Sequence, residues 1–181
     1  MSRSAAAIIL IAASLVLTPF AAASAQQAGG TLARAGSRTE APEPWRPAGP
    51  LHFLGLFPLG DGWFADPDSI RRVDDRAEVR LLTVNGRVRQ VAEGDIRWTW
   101  SRVDIDCAGR TWETLEYDAY DTSNTWLAGF TGSIPGTNPV DVPSEEAVMA
   151  YACDGTRPTA FQSVPDQVVA VAGIMGAFAQ E

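Results

Sequence analysis

Five carboxylates on two neighbouring predicted strands are the side chains of this sequence best suited to chemistry. They are Asp104, Asp106, Glu113, Glu116 and Asp118. Carboxylates gathered on one sheet face could perform acid/base catalysis in a hydrolase or bind Ca²⁺. Arg97, Arg102 and Arg110 support a simpler interpretation, because opposite charges on a solvent-facing sheet form cross-strand ion pairs. We favour ion pairing and keep a hydrolase that uses this acidic strand face as a remote alternative.

The other reactive residue types form no recognisable catalytic motif. His52 is the only histidine and lies in an apolar stretch, which is more typical of a packed or surface histidine than of a general base. No serine or cysteine stands in a nucleophile motif. One histidine and two cysteines cannot complete a Cys/His zinc site. The sequence therefore predicts a protein that is not an enzyme, with no catalytic residue, metal site or cofactor.

The N-terminus has the features of a cleaved signal peptide. Arg3 provides a positive charge, residues 5–17 are apolar, and Ala23 and Ala25 are the small residues that signal peptidase accepts. We expect cleavage between Ala25 and Gln26. The apolar run is shorter than the ~20 residues of a spanning helix, and no cysteine follows it to carry a lipid. The prediction is export to the periplasm, the cell surface or the medium, without a transmembrane span or a lipid anchor.

Export determines how Cys107 and Cys153, the only two cysteines, are interpreted. In an oxidising compartment two thiols without a third favour one disulfide. The closed loop should contribute about 4 kcal/mol in the chain-entropy model. We predict a structural disulfide between these residues.

The charge of the chain excludes one class of partner. The formal net charge is −8, and all 14 basic residues are arginines. An acidic surface repels phosphate backbones, and the sequence offers no polybasic segment for anionic lipids. A nucleic-acid partner is therefore not expected.

Composition divides the chain into four parts. A signal peptide at 1–25 precedes a proline-rich flexible linker at 26–50, in which prolines remove backbone donors. The folded domain spans 51–155, and residues 156–181 form a C-terminal extension with an apolar helix.

Within the domain the pattern predicts about six short strands. They lie at residues 51–59, 62–65, 77–84, 95–107, 111–121 and 125–130. Residues 66–70 favour a tight turn or a single helical turn. Asn85-Gly86 could close a two-residue hairpin or open a longer loop.

The fourth predicted strand changes its alternation midway. Trp98 and Trp100 share one face, whereas Val103 and Ile105 have the opposite parity. A β-bulge near Ser101 or Arg102 would restore a single buried face. Alternatively, the strand is buried on both sides and something else covers the tryptophans.

Two helices follow the strands. Ser144 is the expected N-cap of the first, and Gly155 is its expected C-terminal cap. The second, at residues 164–178, has a start signal in Ser163, Pro165 and Asp166 and should pack on the core or on a partner. The predicted fold is α+β: an antiparallel sheet of about six short strands, packed by a disulfide-tethered helix, with an additional C-terminal helix.

Five segments in order resemble the bacterial surface-adhesin E family. They are WFADPDSIRR at 63–72, VRLLT at 79–83, DIDCAGR at 104–110, IPGT at 134–137 and YAC at 151–153. The resemblance covers roughly residues 51–155. It implies an antiparallel sheet packed by a helix, a disulfide between the matched cysteines and an envelope location. It also implies attachment to extracellular-matrix and serum proteins of a host.

The leading hypothesis is an exported, non-catalytic binding module associated with the envelope, for which the resemblance implies an adhesin-like role. The alternative is a periplasmic structural or assembly factor that contacts a partner through its C-terminal helix. The partner would be a protein, of extracellular-matrix type if the resemblance extends to binding. The sequence predicts no oligomeric state.

Overall fold

The computed structural model of the protein describes residues 37–43, 45–57, 60–132, 138–140, 142–158 and 162–178. The predicted signal peptide and the cleavage position between Ala25 and Gln26 lie outside these residues. No helix in the described ranges has the length and apolar character needed to cross a membrane.

One antiparallel sheet forms the body of the molecule. Its strands are β1 Leu51–Phe57, β2 Asp61–Val73, β3 Arg76–Val91, β4 Gly94–Asp106, β5 Thr111–Tyr120, β6 Trp126–Thr131, β7 Asn138–Pro139 and β8 Gln162–Val164. Seven of them lie in the order β6-β5-β4-β3-β2-β1-β8, and the two-residue β7 pairs with β5. The predicted α+β class and antiparallel sheet are confirmed. The predicted number of about six strands is too low, because residues 162–164 add an edge strand to β1 just before the last helix.

Two predicted turns lie inside long strands. Opposite β3, the register of β2 passes from Asp66↔Arg80 to Arg71↔Glu78, so residues 67–70 bulge out of the ladder. Ser69 Oγ donates to Asp66 O and accepts from Arg80 N, both at 2.8 Å, which ties the bulge to both strands. The tight turn predicted at 66–70 is therefore wrong. The local hydrogen bonds expected of a turn do form, but they close a bulge inside β2 and the strand continues on both sides of it.

The second of these turns, at Asn85-Gly86, is replaced by strand. β3 runs on to Val91 and turns at residues 92–93. Asn85 is buried and its Nδ2 donates to Ile96 O at 3.3 Å. A Cβ on Gly86 would lie 2.5 Å from Gly60 O, so glycine at this position permits close backbone approach rather than a hairpin turn.

The β4 strand is buried on both faces. Its pairing with β3 is unbroken from Trp98 to Asp106, so the alternation never shifts. A bulge does occur beside Arg102, but the extra residue is Leu115 of β5. The prediction that a bulge gives β4 a single buried face is thus wrong. The alternative prediction, a strand buried on both sides, is correct.

The two faces carry separate cores, which we name after their most distinctive residues. The disulfide face buries Val79, Leu81, Val103 and Ile105 beside both cysteines. The tryptophan face buries Leu82, Val84, Trp98 and Trp100. The sheet is strongly coiled, since Trp63 of β2 and Trp112 of β5 stack with ring centroids 6.0 Å apart although two strands separate them.

A short helix covers the disulfide face. Helix α1, Pro143–Met149, continues into a π-helical turn over Ala150–Asp154. Gly155, with φ 72°, caps its end as predicted. Ser144 is not the N-cap, because Val142 occupies that position and Pro143 begins the helix.

Cys107 and Cys153 form the predicted disulfide, with their Cα atoms 5.9 Å apart. It joins the chain just after β4 to the π-helical turn. The helix end is thereby fixed against the end of a central strand.

Helix α2, Gln167–Phe178, covers one end of the tryptophan face through Ala170 and Ile174. It begins three residues later than predicted because Val164 belongs to β8. The Asp166 start signal is present, since its Oδ1 accepts the Val169 amide at 2.9 Å.

Candidate functional site

Residues 37–50, which we call the strap, lie across the end of the tryptophan face that α2 leaves uncovered; residue 44 is not described. Ser37 forms an antiparallel bridge with Phe130, and Arg38 N donates to Gly129 O at 2.8 Å. The sequence predicts a flexible linker here, yet these contacts attach the segment to the edge strand β6. Prolines exclude a regular ladder, so side chains make most of the attachment.

The strap and the sheet enclose a surface that we call the charged groove. Its lining is Arg38, Pro42, Glu43, Trp45, Arg46, Ala48, Asp66, Asp68, Ser69, Arg71, Glu78, Arg80, Arg102, Glu116 and Asp118. Strands β2, β3, β4 and β5 each contribute side chains from the tryptophan face. Along these strands, the charged groove residues lie further along the same face than the buried apolar residues.

Glu116 is the centre of an ion network on the groove floor. Its carboxylate lies 3.1 Å from Arg80 Nη2, 3.3 Å from Arg102 Nε and 4.0 Å from Arg38 Nη2. Arg102 Nη1 also donates to Glu78 Oε2 at 3.2 Å. The four sheet residues of this network are only partly exposed, so each ion pair is screened less than a surface pair.

Two side chains anchor the strap. Arg38 Nη1 contacts both carboxylate oxygens of Asp118, at 2.7 and 2.5 Å. Trp45 packs edge-on against Trp100 with ring centroids 4.4 Å apart. The Arg80 guanidinium lies 5.3 Å from the centre of the Trp45 ring, which is a cation–π distance.

Trp45 separates the groove into two cavities. One has a volume of about 380 Å³ and lies towards Arg38 and Asp118. The other has a volume of about 410 Å³ and lies towards Asp66 and Arg71. Trp45, Arg46 and Arg80 line both, so the two cavities adjoin along the strap.

Asp66 is the most buried carboxyl of the groove, at 2% exposure. Burial raises the pKa of Asp66 above its ordinary value, and the Asp68 amide, which donates to its Oδ1 at 3.0 Å, opposes the shift. This carboxyl therefore holds its negative charge less firmly than an exposed aspartate.

The five predicted carboxylates do not form one cluster. Glu116 and Asp118 lie in the groove, whereas Asp104 accepts from Arg76 Nη2 at 2.5 Å. Asp106 Oδ1 accepts the Gly109 amide at 2.6 Å and so stabilises the β4–β5 turn, and Glu113 lies opposite Asp104. Within the described ranges, no group of three or more His, Cys, Asp or Glu side chains is placed to hold a metal ion.

The three arginines assigned to cross-strand pairing behave differently from one another. Arg102 forms the predicted pairs with carboxylates of β3 and β5. Arg97 instead donates to the carbonyls of Asn85 and Gly86, at 3.2 and 3.3 Å. Arg110 pairs with Glu146 of α1 at 3.3 Å, where both side chains are more than half exposed.

His52 lies on the disulfide face and is not among the residues that line the groove. Its Nδ1 is hydrogen bonded to the hydroxyl of Tyr151, which comes from the π-helical turn. Arg72 Nε donates to the next carbonyl, Ala152 O, at 2.5 Å. The histidine therefore connects β1 to the turn that carries Cys153, in agreement with a packed residue rather than a general base.

Sequence reasoning missed the groove because six of its lining residues come from the segment predicted to be a flexible linker. They are Arg38, Pro42, Glu43, Trp45, Arg46 and Ala48. One signal was available: Trp45 is a large aromatic residue within a proline-rich segment, and such a side chain usually packs on something.

Comparison with known proteins supports the resemblance found in the sequence. The family model of surface-adhesin protein E matches residues 59–154, just over half of the chain. The match contains both cysteines and the groove residues contributed by the sheet. The strap and α2 lie outside it. No curated protein matches the chain.

Proposed function

Since the chain belongs to the surface-adhesin E family, we propose that it is an exported, non-catalytic binding module of the bacterial envelope with an adhesin-like protein partner. The family match, which contains the disulfide-linked part of the sheet, is the observation that carries this proposal. A disulfide suits an oxidising compartment outside the cytoplasm.

The state of the carboxylates supports binding rather than hydrolysis. Asp104 and Asp118 accept from arginine, Glu116 forms an ion pair with Arg80 at 3.1 Å, and Asp106 accepts a backbone amide. Each of these carboxylates is thus already engaged by a group of the fold rather than left open towards a substrate.

Export and binding are tested separately. We expect the chain expressed in its native host to be found in the envelope fraction or the medium, starting at Gln26. The purified, oxidised chain from Gln26 should bind at least one of immobilised collagen, fibronectin or laminin saturably, with albumin as the control surface. Retention of the full N-terminus in the cytoplasm, or binding no greater than to albumin in every case, would falsify the proposal.

A second candidate is a periplasmic assembly or structural factor that contacts its partner through α2. Val168 and Val169 support it, because they are 72% and 45% exposed on a helix whose other face covers the core. The double substitution Val168→Ser and Val169→Ser leaves Ala170 and Ile174 in place. If crosslinking in the native envelope recovers the same partners from this variant, the α2 surface is not the contact.

A further inference from the structure

The geometry of the charged groove points to a binding site for an acidic peptide segment, whose carboxylates are received by Arg46 and Arg71. This inference deepens the proposed function and rests on it, because it names the chemistry by which the module recognises a protein partner.

Arg46 and Arg71 are available for a ligand. Both side chains are exposed and both line the cavity of about 410 Å³. The other arginines around it, Arg80 and Arg102, already contact Glu116 or Glu78. Among the described residues, the side chains of Arg46 and Arg71 have no ion-pair or hydrogen-bond partner.

The charge balance of this cavity differs from that of the whole protein. Four arginines line it against three carboxylates, Asp66, Asp68 and Glu78. Asp66 is 2% exposed and so presents almost no surface to a ligand. Arg80 and Arg102 are paired with Glu116 or Glu78. The exposed charges that remain in the lining are those of Arg46, Arg71 and Asp68, two positive against one negative, on a chain whose formal net charge is −8.

The chemistry and shape of the groove suit a carboxylate on a peptide. A guanidinium presents two parallel N–H donors that match the two oxygens of a carboxylate. The cavity volume lies within the ordinary range of ligand sites. Because the two cavities adjoin past Trp45, an extended segment can follow the groove with apolar atoms against the Trp45 ring.

The strap is an essential part of this site, since it supplies both Arg46 and Trp45. Arg71 comes from β2 on the opposite side of the cavity. The proline-rich segment therefore acts as one wall of a binding site rather than only as a spacer.

The test is fluorescence polarisation of a fluorescein-labelled hexaglutamate peptide with the purified, oxidised chain that starts at Gln26. We expect saturable binding that weakens as salt is raised, and none to labelled hexalysine. Arg46→Gln and Arg71→Gln should each weaken the affinity roughly tenfold, the usual effect of removing a charge-assisted hydrogen bond. Since neither arginine has a partner to lose, both variants should keep the wild-type melting temperature.

Arg87→Gln is the matched control, because Arg87 is an exposed arginine of β3 outside the groove lining. Its affinity for hexaglutamate should stay within twofold of wild type. An equal loss in Arg87→Gln would mean non-specific attraction and overturn the site. So would absence of binding at millimolar peptide, a preference for hexalysine, or complete competition by an equal concentration of inorganic phosphate.

The two proposals can fail independently. If the chain binds a matrix protein and Arg46→Gln with Arg71→Gln leaves that affinity unchanged, the groove is not the contact, although the binding function stands. If hexaglutamate binds as expected but no matrix protein does, the groove chemistry holds and the adhesin-like partner is wrong.

Discussion

His52 gives the protein a half-buried titratable contact. Burial, and secondly the positive charge of Arg157, lower the pKa of His52 below 6.5, while Asp68 and Asp66 oppose the shift. In the unfolded chain the ring titrates near 6.5. As the pH falls through 6.5 the unfolded state binds the proton first, so the free energy of unfolding decreases until the native pKa is reached.

We expect His52→Gln to reduce the loss of stability between pH 7 and pH 5. Glutamine can still bond the Tyr151 hydroxyl but does not titrate. The measurement is the change in melting temperature between pH 7 and pH 5, taken separately for wild type and variant. Any stability lost through changed packing is present at both pH values, so it largely cancels from this difference. A variant with the same difference as wild type would show that His52 does not contribute to the pH dependence.

At the scale of single elements, α2 packs on the tryptophan face through Ala170 and Ile174, of which Ile174 is the larger side chain. Ile174 is 7% exposed and lies over Gly62, where even a Cβ would approach its Cδ1 to 2.5 Å. Ile174→Ala should lower the free energy of unfolding by about 2–4 kcal/mol, because it opens a cavity above the tryptophans. Denaturant titration measures this change.

Val168→Ala on the same helix is the control. Val168 is 72% exposed, so the substitution should change stability by less than about 0.5 kcal/mol. Equal effects at both positions would mean that α2 does not pack on the tryptophan face in solution.

The disulfide should stabilise the fold by constraining the unfolded chain. The bonded cysteines are 46 residues apart, and closing such a loop is worth about 4 kcal/mol in the chain-entropy model. Cys107→Ser with Cys153→Ser should lower the melting temperature by roughly 10 °C or more. A variant with the same melting temperature as the oxidised wild type would contradict a stabilising role of the disulfide.

The sequence was sufficient for elements whose evidence is local. Alternation located the six main strands, and cysteine number with export predicted the Cys107–Cys153 bond. It was insufficient where the evidence is long-range: residues 162–164 become a strand only because β1 has a free edge, and Asn85-Gly86 stays extended because Gly60 approaches it. The groove was hidden for the same reason, since Trp45 finds Trp100 across 55 positions of sequence.

For the whole molecule, the two cores lie on opposite faces and depend on different helices. The disulfide face is covered by α1 and its π-helical turn, and the tryptophan face by α2 and Trp45. The family match ends at residue 154, before β8 and α2. The matched region alone therefore leaves one of the two cores without its helical cover.

Truncation after Gly155 should expose the tryptophan core. We expect the truncated chain to bind a hydrophobic dye, to elute from size exclusion as aggregates and to melt at lower temperature, because Trp98 and Trp100 lose the cover of Ala170 and Ile174. The variant Val168→Ala in the full chain should behave as wild type in all three measurements. A monomeric truncated chain with an unchanged melting temperature would show that α2 is dispensable.

The unbroken pairing of β3 with β4 between Trp98 and Asp106 also has a consequence for folding kinetics. Val79 and Leu82 are three residues apart on one strand, yet they enter different cores. Neither core can consolidate until β3 and β4 have paired, and the turn at residues 92–93 makes that pairing local. We therefore predict that this hairpin forms in the transition state, so conservative truncations at Val79 and at Leu82 should both slow refolding rather than mainly speed unfolding.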